Sequence, residues 1–103
     1  NLKTLMIQNE MFLDENLSLN HLAECLNISP HQLSQFLNTR LNKKFKMFVN
    51  EYRIAKSKEL LIHDKDVKIL AIAFDVGFKS KSTFNASFLK ITGKTPSEYR
   101  NSN

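Results

Sequence analysis

Residues 68–100, KILAIAFDVGFKSKSTFNASFLKITGKTPSEYR, decide the fold. Ile69, Ile72, Ala73 and Val76 recur at helical spacing, the pattern stops at Gly77, and Phe78, Phe84 and Phe88 resume it behind a second start signal. Gly77 suits a left-handed turn, because glycine alone takes positive φ without a Cβ penalty. Two short helices joined by such a turn predict a helix-turn-helix. The second helix is left with Lys79, Lys81, Ser82, Asn85 and Ala86 outward. Amides that read base edges, flanked by lysines that meet phosphates, suit a surface that enters a DNA groove.

The same grammar occurs upstream, over residues 19–41. A shift of 50 places Leu22 on Ile72, Ala23 on Ala73, Leu26 on Val76, Asn27 on Gly77 and Ile28 on Phe78. A shift of 51 then brings Leu33 onto Phe84, Leu37 onto Phe88 and Asn42 onto Gly93. Asparagine is the non-glycine residue that best tolerates positive φ, so the turns are equivalent in chemistry as well as in position. Two copies make a tandem duplication and are too few for a solenoid.

Only two glycines and two prolines, with no period-2 alternation, predict an all-α fold of about seven helices. The first is expected near residues 2–13, with Phe12 inward, and the second over 19–26, with Cys25 a small buried hydrophobe on its inner side. The third starts at Pro30 behind Ser29, which leaves His31, Gln32, Ser34, Gln35 and Asn38 facing solvent between a buried Leu33, Phe36 and Leu37. A long fourth helix over 45–62, carrying Phe45, Phe48, Val49, Tyr52, Ala55 and Leu60, joins the first helix-turn-helix to the second at 68–92. The fifth opens near Asp66, Ser80 caps the sixth, and Thr95 with Pro96 opens a seventh ending at Arg100. Eighteen residues of linker helix span roughly 27 Å, close to the roughly 34 Å between major-groove entries one turn apart. A single chain is thus expected to grip two successive grooves of double-stranded DNA, on an asymmetric operator about two turns long.

The chain resembles the DNA-binding domain of the AraC/XylS family of bacterial transcription regulators from about Leu17 to Arg100. The specific part of the resemblance is Ile69, Ile72, Ala73, Gly77, Phe78, Phe84, Phe88, Gly93, Pro96, Ser97, Tyr99 and Arg100. The first half matches more loosely, with Asn27 and Asn42 where the family often has glycine. The resemblance implies base contacts from His31, Ser34 and Gln35 in the first head and from Lys81, Ser82, Asn85 and Ala86 in the second. Gln35 is the best single candidate, since an amide bonds adenine bidentately. Lys43, Lys44, Lys79, Ser80 and Thr83 are assigned to phosphates, which set register and salt dependence. The resemblance further implies a sensor or signalling part N-terminal to this domain, and a cytoplasmic setting.

Composition sets the limits. Fifteen Lys+Arg against ten Asp+Glu give a formal charge of +5 in 103 residues, which favours a polyanionic partner. Arg40, Lys43, Lys44, Lys46, Arg53, Lys56 and Lys58 crowd residues 40–58 against Glu51 alone, whereas Glu10, Asp14, Glu15 and Glu24 outweigh Lys3 at the start. An acidic end facing away and a basic middle facing the partner are expected. His21, His31 and His63 are scattered and Cys25 is the single cysteine, so no metal site, disulfide or cofactor is expected. No catalytic motif and no apolar run of membrane-spanning length is present. The rival readings are a helical protein-interaction module, with RNA polymerase as partner, and a nonspecific architectural DNA binder.

Overall fold

The structure is a computed structural model that describes residues 1–102. Seven α-helices follow in order: α1 Leu2–Ile7, α2 Leu19–Cys25, α3 Pro30–Arg40, α4 Phe45–His63, α5 Ile69–Asp75, α6 Lys81–Thr92 and α7 Pro96–Ser102. No strand occurs among the described residues. Helix α4, 19 residues and about 28 Å long, is the axis of a molecule measuring 42 × 22 × 21 Å. Its N-terminal half closes one hydrophobic core and its C-terminal half another.

The first core gathers Leu22, Ala23, Leu33, Leu37, Phe48 and Val49 with Met6 and Phe12. The second gathers Ile54, Leu61, Ile72, Ala73, Val76, Phe78, Phe84 and Phe88. An aromatic chain runs through the second core, with ring centroids 5.3 Å apart for Phe78–Phe84, 5.7 Å for Phe84–Phe88 and 5.5 Å for Phe88–Tyr99. Separations in this range allow edge-to-face contacts that add to the burial of apolar area.

The duplication is visible bond by bond. The Ile28 N–H donates to the Ala23 carbonyl at 3.1 Å, and the Phe78 N–H donates to the Ala73 carbonyl at 3.0 Å. The Asn27 and Gly77 N–H groups donate to Glu24 and Phe74 in the same way. All four turn positions take positive φ: 59° at Asn27, 54° at Asn42, 106° at Gly77 and 81° at Gly93. Ser29 and Ser80 each accept the backbone N–H three residues on, from Gln32 and Thr83, both at 3.1 Å.

Several expectations are corrected. The segment expected as one helix over 2–13 is two pieces, α1 and a 3-10 turn at Met11–Leu13, because Glu10 takes a left-handed conformation with φ 49°. Apolar spacing continues across that break and hides it. Phe36 is 44% exposed, since the inner stripe of α3 is only wide enough for Leu33 and Leu37. Cys25 is exposed on the flank of α2 beside His21, while Leu26 takes the inward place. Ala55 is exposed too, and the small residue buried on α4 is Ser57, whose hydroxyl donates to the Ile54 carbonyl at 2.8 Å. Helix α5 starts at Ile69 with Lys68 as its N-cap, later than Asp66 suggests, and α7 runs two residues past Arg100.

Candidate nucleic-acid interface

Each recognition helix is seated by its own lobe, α3 against α2 and α4, α6 against α4, α5 and α7. Buried Leu33 and Leu37 fix the rotation of α3, which leaves His31, Gln35 and Asn38 exposed and Ser34 half-buried. Buried Phe84 and Phe88 do the same for α6, leaving Lys81, Ser82 and Ala86 exposed and Asn85 half-buried. The amides of Gln35, Asn38 and Asn85 make no side-chain hydrogen bond among the described residues, so their donors and acceptors are available to a base edge.

Other side chains of the expected interface are committed. Ser29 and Gln32 form a reciprocal capping box, in which Gln32 Oε1 accepts the Ser29 N–H at 2.8 Å. The Gln32 NH₂ stays free for a base, while its Oε1 already has one lone pair engaged by the cap. The Ser80 hydroxyl accepts the Thr83 N–H and donates to Thr83 Oγ1 at 3.0 Å, so it orders the start of α6, while the Thr83 hydroxyl hydrogen remains available. Lys43 Nζ donates to Glu51 Oε1 in an ion pair across the first turns of α4, whereas Lys44 and Lys79 are exposed. Sequence spacing gave no sign of the Lys43–Glu51 pair, which depends on how the 41–44 turn enters α4.

The basic middle segment is divided by the structure. Lys46 and Arg53 line a cleft between the two heads together with Asn50, Lys79 and Thr83, and Glu15 and Asn16 line it as well. The acidic end therefore does not all face away: Glu15 borders this cleft and Glu10 pairs with Lys56 at 3.4 Å. A second groove, lined by Lys44, Lys46 and Lys90, runs between the start of α4 and α6. Lys58 places its ammonium 5.8 Å from the centre of the Tyr99 ring, so it is a packing residue rather than a free surface charge.

Two arginines that periodicity could not rank hold the frame. Arg100 donates to the carbonyls of Leu61 at 3.0 Å, Val67 at 2.7 Å and Asp64 at 3.1 Å, which caps the end of α4 and ties down the following turn. Arg53 donates from Nε to the Phe12 carbonyl at 2.7 Å and from Nη2 to the Asp14 carbonyl at 2.9 Å. Burial pulls the Arg53 guanidinium below its ordinary value, opposed by the charges of Asp14 and Glu15. Among the described residues no three His, Cys, Asp or Glu side chains gather as metal ligands would, and no helix is long and apolar enough to cross a membrane.

Two capped helix-turn-helix units on one bridging helix, each with a polar outer face, define a DNA-binding domain. The chain matches the family model described as a helix-turn-helix domain over residues 22–102, and it belongs to that family in its AraC-type form. It is 36% identical over 91 residues to an HTH-type transcriptional regulator of Staphylococcus aureus, a match covering 88% of this chain and 12% of that protein. Among solved structures, the C-terminal domain of AraT, a response regulator from Geobacillus stearothermophilus, superposes with a TM-score of 0.84 at 30% identity, covering 98% of this chain and 83% of that one. The DNA-binding domain of AdpA, solved in complex with a target DNA, shares the fold at a TM-score of 0.83 and 19% identity, covering 98% and 90% of the two chains. The molecule is a sequence-specific DNA-binding domain of the AraC family of transcription regulators.

Proposed function

We propose that α3 and α6 enter two successive major grooves on one face of a duplex, so that one chain reads an asymmetric operator about two turns long. His31, Ser34, Gln35 and Asn38 contact bases in one groove, with Gln32 contributing through its NH₂. Lys81, Ser82 and Asn85 do so in the other, where Ala86 touches a thymine methyl. Lys44, Lys79 and Thr83 meet phosphates, the N-terminus of α6 behind Ser80 adds its free N–H groups, and Lys43 divides its charge between Glu51 and the backbone. The observation that carries this reading is the repeated turn. Two heads with the same caps and the same positive-φ positions hang from one helix, and the free amides of Gln35, Asn38 and Asn85 lie on the two recognition helices. The AdpA domain, which shares the fold, is described as bound to its target DNA.

The chain spans about an eighth of the Staphylococcus aureus regulators it matches, 12% of their length. In the proposed longer protein an N-terminal part carries the sensor or signalling element, and the whole works in the bacterial cytoplasm. RNA polymerase is its second partner, and Leu70 and Phe74, 43% and 49% exposed on the outer side of α5, favour such a protein contact.

The test is selection of bound duplexes from a random DNA library at about 150 mM salt, followed by sequencing. The expected product is an asymmetric motif with two blocks about 10 base pairs apart, centre to centre. Binding with no motif would reduce the domain to charge-driven association, and a palindromic motif would mean that each chain uses only one head.

A further inference from the structure

Helix α4 is not the only connection between the heads. Residues 10–14, which lead into the first head, lie against the second: Phe12 belongs to the first core, while Leu13 packs against both. Gly77, the turn residue of the second head, is so close to this segment that a Cβ there would stand 2.5 Å from the Phe12 carbonyl oxygen and 3.1 Å from that of Leu13. Arg53 closes the joint. Its guanidinium bonds the Phe12 and Asp14 carbonyls and lies 5.7 Å from the centre of the Phe78 ring, which is part of the second core. Glu10 adds its ion pair to Lys56 on α4.

We propose that Arg53 is a positioning residue for DNA recognition: by clamping residues 10–14 against Gly77 and Phe78 it fixes the orientation of the two heads, and with it the spacing between the DNA blocks the domain accepts. The chemistry suits the task. A planar guanidinium holds two carbonyls in a fixed fork while keeping within cation–π distance of an aromatic ring, a geometry that a single ammonium does not fix. Helix α4 defines the distance between the heads, and a tie that joins them away from its axis adds resistance to rotation of one head against the other. Adding one base pair between two DNA blocks moves the second by about 3.4 Å and turns it by about 35°. A clamped pair of heads cannot follow that rotation, whereas a loosened pair can.

The proposal rests in part on the two-groove reading, so its test has one arm without DNA. In a Cys25→Ser background, spin labels at Glu24→Cys on α2 and Asp75→Cys on α5 report the distance between heads in the free chain. The parent should give one narrow distance distribution, and Arg53→Met a broad or split one with helical content retained. Arg53→Lys, which keeps charge and stem but not the fork, should broaden it as well and carries the test if the Met variant does not fold. An unchanged narrow distribution in either folded variant overturns the clamp. In the DNA arm, duplexes carrying the two selected blocks are lengthened or shortened by one base pair. The parent should lose about tenfold or more in affinity, and Arg53→Lys should lose less than about threefold while keeping its base preferences within each block. A purely structural role would lower affinity at every spacing alike. If the parent yields no two-block motif, the two-groove reading has failed and the distance arm alone judges the clamp; a two-block motif with the same spacing profile in parent and variant overturns the clamp alone.

Discussion

Gly77 and Gly93 occupy the same kind of turn, with φ of 106° and 81°, yet a side chain meets different surroundings at each. At Gly93 a Cβ would find nothing within 4 Å, so Gly93→Ala should cost only the left-handed backbone strain, about 1–2 kcal/mol. At Gly77 the same Cβ collides with the Phe12 carbonyl and the Arg53 guanidinium. Gly77→Ala should therefore cost clearly more, and Gly77→Val more again; urea unfolding of the three variants checks the order, and equal losses at the two glycines would mean the heads are not in contact there. At the recognition surface, Gln35→Ala should relax preference at one or two base pairs of one block by about 1–3 kcal/mol, read by competition against single-base operator variants. Loss of equal size on every sequence would remove Gln35 from base reading. The four positive-φ positions in the helix-turn-helix units were legible in the sequence because glycine and asparagine announce them. Phe36, Cys25 and Ala55 were not, since apolar spacing locates the centre of a buried stripe but not its width. Arg53 was invisible to periodicity altogether, because its partners lie about 40 residues away in the chain.

Helix ends carry much of the local order. Ser29 and Gln32 cap α3, Ser80 caps α6, and at the start of α7 the Thr95 N–H donates to Glu98 Oε1 at 2.8 Å while the Glu98 N–H donates to Thr95 Oγ1 at 3.1 Å. The bond from the Thr95 backbone, then that from its side chain, holds the Glu98 carboxyl below the usual carboxylate range. A depressed folded value means that the cap contributes above the unfolded value, about 4.3, and is lost as pH falls through the lower folded one. The Thr95 amide proton should accordingly shift upfield in NMR spectra only as pH drops below the usual carboxylate range, and in Glu98→Gln it should not titrate in that window. A Thr95 signal that is flat in the parent would show the box is not formed. Ser29→Ala should lower stability by about 1 kcal/mol by urea unfolding, since it removes the serine half of the box at α3. Start signals of this kind made the beginnings of α3, α6 and α7 readable in the sequence, whereas α4, whose N-cap Lys44 makes no side-chain bond, was located by its apolar spacing. The break in the first helix was not, because Glu10 in a left-handed conformation is a choice the tertiary contacts impose and no residue type advertises.

Over the whole molecule, charge follows the same division as packing. A net charge of +5 spread over a body 42 Å long is a field that any duplex feels, and the portion that matters for binding is the set of cations free to replace counterions. Lys44, exposed at the N-cap of α4, is free; Lys43, one residue earlier, is held by Glu51. Each phosphate neutralised contributes about 0.9 to the slope of log affinity against log salt. Lys44→Ala should thus weaken binding to every sequence alike and flatten that slope by about one, whereas Lys43→Ala should flatten it by less. Glu51→Gln gives the complementary test: releasing Lys43 from its partner should steepen the slope and tighten binding at low salt without changing the preferred operator. Fluorescence anisotropy of a labelled duplex titrated across a salt series measures all three variants. If Glu51→Gln leaves the slope where it was, Lys43 does not reach a phosphate even when freed, and the electrostatic footprint shrinks to Lys44, Lys79 and the start of α6.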